Sequence, residues 1–463
     1  MVGTPSVSLV TVTTLLLSCF LPEVSAFWRL PCNNPISIER SDPLASPGQV
    51  AGHLHTIMGG NGFDFSMDFN KARASTCSSC TVKQDLSNYW PFTNTSYSAA
   101  KNGTFTPVKQ VGGALIYYLQ RRGTPTEKLF AFPAGFRMLA GDPMLRSFTA
   151  TKEQRAITYA CLNYNQPAAA ETNGLPTKNC ADGLRLQVFF PSCWNGKDLD
   201  SADHKSHMAY PDGVDSGSCP STHPVRFISL FYEVTFSVND FKDLWYDNKQ
   251  PFLLSNGDPT GFGYHGDFIN GWDVNVLQQA VDGCNNDSGV VEECPFFQFF
   301  PSNSVSDCFI PPRVNEPTTG WLPKLPGCNP VQAGPGKAVA STGCGATTVI
   351  GPPKTYSTDV SSRGWGYVGC STDDLASRTF PIRTSDGAMT VEKCVDYCVS
   401  QGNAYAGTQF ANECYCGNTA PPAARMGAKC DTPCAGNANE VCGGALRLSV
   451  YKKNGAKVRR NQV

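Results

Sequence analysis

Residues 225–236 read VRFISLFYEVTF, a run of β-branched and aromatic side chains entered from Pro224 and left at the polar Asn239–Asp240 step. Side chains of that kind suit a pleated, half-buried surface, so the run is predicted to be a strand. Working outward, GGALIYYLQ (112–120) and LRLQVFF (184–190) have the same character and are bounded by Gly, Pro, Asn or Asp. Stretches with a capped 3.6-residue period are few, the better ones lying in SVNDFKDLW (237–245) and GWDVNVLQQAVDG (271–283). The expectation for residues 27–311 is one large, mainly β domain, a β-sandwich with long loops. Ten cysteines from Cys32 to Cys308 are available to bridge those loops.

The flanks have other compositions. VSLVTVTTLLLSCFL near the start is the length of a signal-peptide core and is shorter than the roughly 20 apolar residues of a membrane span. The small residues ending at Ala26 predict cleavage before Phe27, giving a signal peptide at 1–26, a secreted chain and no membrane segment afterwards. Cys19 would leave with it, so an even 20 of the 21 cysteines would remain, which suits full pairing in an oxidising compartment. Sequons at Asn94, Asn102 and Asn286 fit the same route and predict N-glycosylation on surface loops. Residues 312–363, rich in Pro, Gly, Ser and Thr, are expected to form an extended linker in which Cys328 and Cys344 could close one loop. The basic residues 453–463 read as a solvated tail. With 37 basic and 38 acidic residues and no clustered basic face, nothing indicates nucleic-acid binding; a monomer is the expected state.

Residues 364–452 contain eight cysteines, Cys370, Cys394, Cys398, Cys414, Cys416, Cys430, Cys434 and Cys442. A unit this small buries little apolar surface, and disulfides would compensate; eight cysteines leave the pairing open. The segments GYVGCSTDD (366–374), MTVEKCVDYCVSQGNAYAGTQFANECYCGN (389–418) and KCDTPCAGNANEVCGGALRLSVYKK (429–453) resemble the WSC domain in the order and spacing of their CxxxC, CYCG and CGG elements. The resemblance implies a small cysteine-rich α+β module, a fungal source, and binding to a cell-wall polysaccharide such as β-glucan, chitin or xylan. A sugar ring offers an apolar face and a rim of hydroxyls, so exposed rings beside amides are the expected contacts. Trp365, Tyr367, Tyr405, Asn412 and Tyr415 are the glycan-binding candidates. MTVEKCVDYC is predicted to be a short helix capped by Thr390.

The strings FWRLPC, GHLHTIMGGNGF, FPAGFRMLAGDP, CWNGKDLDSADHKSHMAYP and GYHGDFINGWD resemble an uncharacterised secreted fungal domain found joined to WSC modules, a resemblance that implies no activity. All six histidines lie in this region. His53 and His55, two apart on a strand, would share a face, and His204 and His207, three apart, could do so on a turn, so these four are the candidate ligands of Zn or Cu. His265, Asp267 and Asp203 are candidate catalytic groups, with Asp203 or Asp267 as an added oxygen ligand. Two functions are therefore expected to compete for the large domain: an enzyme, metal-dependent or not, acting on the wall glycan, or a non-catalytic lectin-like or structural unit. The expected start at Phe27 argues against a copper site built on an N-terminal histidine amine, unless cleavage falls elsewhere.

Overall fold

A computed structural model describes residues 26–91, 97–99, 102–246, 249–340, 345–353, 357–437 and 440–455. The large domain is a sandwich of two main sheets. In the first, the order is Gly289–Val290, Phe27–Cys32, Gln110–Leu119, Ser229–Phe236, Leu184–Phe189 and Ile157–Cys161, antiparallel except at the Gly289–Val290 edge. The three runs that decided the fold class are neighbours here: Tyr118 pairs with Leu230, and Leu186 with Val234. The second sheet has the order Ser37–Ser41, Val50–Gly59, Asn88–Pro91, His265–Ile269 and Arg137–Gly141.

One core lies between the sheets. Trp28, Ile116, Tyr118, Leu186 and Tyr232 of the first face Met58, Tyr89, Met138 and Phe268 of the second, and the Tyr232 hydroxyl donates to the Asp267 carbonyl at 3.1 Å. The sheets approach closely at Gly266, where a Cβ would lie 3.1 Å from the side chains of Val188 and Phe190. Of the two expected helical stretches, 271–283 yields the helix Val274–Gly283, capped by Asp273. The other, Val238–Leu244, is a 3₁₀ helix.

Strand alternation puts Leu54, Thr56 and Met58 on one side of the second sheet and His53, His55 and Ile57 on the other. Ile57, Trp90 and Ile269 mark that outer side, where they join Ile36, Leu44, Phe63 and Met67 in a separate apolar cluster beneath the loops. Five disulfides staple the domain: Cys32–Cys80, Cys77–Cys308, Cys161–Cys180, Cys193–Cys219 and Cys284–Cys294.

The segment after residue 312 has short 3₁₀ turns at Pro326–Cys328 and Ser361–Arg363 among its described residues, and residues 313–338 lie along the large domain instead of leaving it. The Arg313 and Val314 amides donate to Glu39, Arg40 pairs with Glu316 at 2.5 Å, and Asn329 donates to the Gly52 carbonyl at 2.9 Å. Arg146 donates to Gln332 O at 2.8 Å, and Lys337 reaches Asp142 at 2.9 Å. Cys344, the expected partner of Cys328, falls outside the described residues, as do Asn94, the leader through residue 25 and the tail from 456. Among the described residues no helix is long and apolar enough to cross a membrane.

The C-terminal module is a five-stranded sheet in the order Trp365–Thr372, Arg447–Lys453, Tyr405–Gln409, Glu413–Gly417 and Ile382–Ser385. It packs against the helix Val391–Ser400, whose first turn is closed by the Thr390 hydroxyl accepting from the Lys393 amide at 3.2 Å. Its eight cysteines form Cys370–Cys430, Cys394–Cys414, Cys398–Cys416 and Cys434–Cys442. Two of these bridges tie the helix to the CYCG strand.

Candidate functional site

Register explains how three histidines meet. Met58 pairs with Tyr89 and Tyr89 with Phe268, so the strands Val50–Gly59 and His265–Ile269 flank Asn88–Pro91 and run parallel to each other. Counting back three residues on each brings His55 level with His265. His53 and His55 share the outer face of one strand, and His265 and Asp267 share it on the other.

The rings of His53 and His55 are centred 4.5 Å apart, His53 and His265 5.1 Å, and His55 and His265 5.9 Å. The Nε2 atoms of His53 and His265 lie 3.3 Å apart, and one potential ligand atom from each of the three falls within 4.8 Å of the others. His55 and His265 are buried and His53 is half-buried. Burial first, then the neighbouring imidazoles, hold His53 and His265 well below the usual histidine range. Burial also lowers His55, against Asp42, which raises it.

Asp267, with none of its surface exposed, places Oδ2 3.9 Å from His265 Nε2, and neither carboxylate oxygen has a hydrogen-bond partner among the described residues. Burial and the charge of Asp42 push its carboxyl well above the usual range, opposed by Lys205. His53 lines a cavity of about 610 Å³ whose walls include Arg40, Arg146 and Asn256 and, from the strap after residue 312, Gly327, Asn329 and Gln332.

The other predicted ligands lie elsewhere. His204 and His207 do not join the cluster, because the DHKSH segment is a tight turn, with His204 at φ 56°, whose histidines serve the loop. His207 Nδ1 meets Ser201 Oγ at 2.8 Å and Nε2 meets the Arg137 carbonyl at 2.9 Å, while His204 Nδ1 lies 2.7 Å from Asp200. Asp203 is a turn carboxylate: one of its oxygens accepts from Ser201 Oγ and from the Lys205 and Ser206 amides. Against a desolvation cost that pushes upward, these bonds hold it well below the usual carboxylate range. It lines a separate cavity of about 400 Å³ with Phe148, Lys205, Tyr210 and Phe262.

In the C-terminal module, Trp365, Tyr405 and Tyr415 are buried in two of its small apolar clusters, which corrects the expectation that they are exposed. Tyr367 is half-buried against Tyr451, with ring centres 5.2 Å apart, and Asn412 is half-buried. Among the described residues of the module, the exposed ring is Phe410, 60% accessible, beside Asn412 in the three-residue turn between Tyr405–Gln409 and Glu413–Gly417. Phe410 and Ala411 take φ values of 49° and 68°, which bulky residues rarely adopt. Sequence reading missed Phe410, although its place directly before Ala411–Asn412 and the CYCG strand was visible. Asn102 and Asn286 are exposed, as glycosylation requires.

A sandwich with stapled loops, followed by a small disulfide-rich sheet, defines a mainly β protein of two modules. Residues 42–272 match the domain of unknown function DUF1996 and residues 367–444 match the WSC domain, so the chain is a WSC-domain protein with a DUF1996 domain N-terminal to it. It is 38% identical over 101 residues to a WSC domain-containing protein of Arthroderma benhamiae, covering 20% of this chain and 11% of that one. It is 36% identical over 94 residues to Xylosyltransferase oxt of Drosophila melanogaster, covering 19% and 11%. Against Kremen protein 2 of Mus musculus it is 34% identical over 92 residues, covering 19% and 20%. The chain thus spans a fifth or less of these relatives.

Proposed function

We propose that this is a secreted, cell-wall-associated protein that binds polysaccharide, β-glucan, chitin or xylan, through its WSC module and holds its large domain against the same polymer. The supporting observation is the WSC match over residues 367–444. Within that module, Phe410 is the ring best placed to stack on a sugar. Strain at an exposed aromatic residue persists only where the surroundings enforce it. Here the turn is fixed from below, the Ala411 amide donating to the Cys442 carbonyl at 3.2 Å and the Ala411 carbonyl accepting from Ala435 at 3.1 Å.

Sedimentation of the full chain with insoluble β-glucan, chitin and xylan tests the reading. Wild type is expected to co-sediment with at least one polymer, and Phe410→Ala to lose about tenfold in affinity, the size of one stacked ring worth 1–1.5 kcal/mol, with its melting temperature unchanged. A wild type that stays in the supernatant with all three polymers overturns the proposal, and an unimpaired Phe410→Ala removes that ring from it.

A second reading, that the large domain is a metal-dependent enzyme on this glycan, is favoured by the histidine cluster next to a cavity.

A further inference from the structure

We propose that His53, His55 and His265 bind one divalent transition-metal ion, Zn(II) or Cu(II), on the outer face of the second sheet, with Asp267 as the carboxylate that completes or orients the ligand set. The site belongs to the large domain and stands whether or not the WSC module binds glycan.

The first argument is geometric. Zinc–imidazole bonds of about 2.0–2.1 Å in a tetrahedron place neighbouring donor atoms about 3.3–3.4 Å apart. His53 Nε2 and His265 Nε2 are 3.3 Å apart, and the 3.9 Å from His265 Nε2 to Asp267 Oδ2 is close to a second edge. Two hydrogen-bonded neutral imidazoles would also explain the first distance. They would not explain a third imidazole with a donor atom within 4.8 Å of both, or a fully buried carboxylate on the same face.

The second argument concerns cost. This face is elsewhere built from Ile57, Trp90 and Ile269, and a carboxyl such as Asp267, buried in their place with no hydrogen-bond partner for either oxygen among the described residues, is expensive without a compensating partner of high charge density. A dication supplies that compensation, and imidazole with carboxylate is a donor set that suits Zn(II) and Cu(II). Arg40 and Arg146 beside the cavity are already committed: Arg40 to Glu316, and Arg146 to Asp258 at 3.6 Å, so they do not substitute for the ion.

The third argument is access. His53 is the half-buried member and lines the cavity under the strap, giving an ion a route in. His55 and His265, behind it, are enclosed.

The test uses tag-free full-length protein, stripped with chelator and dialysed against ZnCl₂ or CuSO₄, with metal content measured by mass spectrometry. Wild type is expected to retain one ion per chain, and His53→Gln and His265→Gln each to weaken retention at least about tenfold. The double variant His204→Gln/His207→Gln is expected to bind like wild type. Copper-loaded wild type should show nitrogen superhyperfine structure from several imidazoles by electron paramagnetic resonance, a signal that changes in His53→Gln. Should His265→Gln fail to fold, wild type alone still decides the matter, because a specific ion raises its melting temperature at one equivalent. Retention of no ion by wild type, or equal retention by His53→Gln, overturns the proposal. Polymer sedimentation reads the WSC module separately, so the two failures are distinguishable.

Discussion

Asp85 sits at the head of a buried polar chain. Its carboxylate accepts from the Ser87 amide at 3.0 Å and from the Tyr89 hydroxyl, Tyr89 meets Tyr118 at 2.7 Å, and Trp272 Nε1 donates to Tyr118 at 2.7 Å. Burial pushes the Asp85 carboxyl up to about 6, against the hydrogen bonds from Ser87 and Tyr89. A carboxyl raised in the folded state binds a proton there that the unfolded chain releases near pH 4. Its contribution is therefore complete below that pH and is lost as pH rises through about 6. The shift corresponds to about 3 kcal/mol. Urea unfolding should show Asp85→Asn removing that much of the decline between pH 4 and 7, and an unchanged pH slope would refute the assignment. At this scale the sequence was partly legible. The two-residue spacings in HLH and HGD showed that imidazoles and carboxylate could share faces. They could not show that the two strands flank Asn88–Pro91 in the register that brings His55 and His265 level. His204 and His207 misled for a related reason: a spacing of three is equally good for a turn that uses both rings internally.

At the scale of elements, the strap after residue 312 shows what composition can and cannot reveal. Pro and Gly forecast an extended linker; among the described residues the strap includes the 3₁₀ turn Pro326–Cys328 and packs along the large domain. Its anchors are Glu39, Arg40, Gly52 and Arg146, and Gly257, whose carbonyl accepts from the Gln332 amide at 2.9 Å. No local pattern relates these groups, remote in sequence, to the strap. Arg146 is the central anchor, its side chain wholly buried beside Asp258 and donating also to the Pro143 and Asn256 carbonyls. Arg146→Gln leaves Asp258 buried without its cation, at an expected cost of about 3–5 kcal/mol. It should also release the strap, so that trypsin cleaves after Lys337 faster than in wild type at a temperature where both remain folded. Equal cleavage rates would mean that the strap is held by its other bonds. The helix Val391–Ser400, by contrast, was legible at Thr390, because a cap is a local interaction.

For the whole molecule, the question is what sets the distance between the two modules. The Arg447 guanidinium of the C-terminal sheet donates from Nε and Nη2 to Asp307 Oδ1 of the large domain, at 2.9 and 2.5 Å. Between the modules is a cleft of about 630 Å³, lined by Ser37, Glu39 and Thr319 of the large domain and its strap and by Lys429, Asp431 and Glu440 of the C-terminal module. Both partners are about a quarter exposed, so the pair is worth about 1 kcal/mol or less and is weakened by salt. An interaction of that size cannot decide whether either module folds, since each has its own core and its own bridges. It is large enough to bias how often the modules touch, because a shift of about 1.4 kcal/mol changes a population ratio tenfold. Arg447→Ala is therefore expected to leave polymer sedimentation and both unfolding transitions in place while increasing the radius of gyration measured by X-ray scattering, and 0.5 M salt should move wild type the same way. If neither changes the scattering curve, the strap and the faces of the cleft hold the modules together without the ion pair.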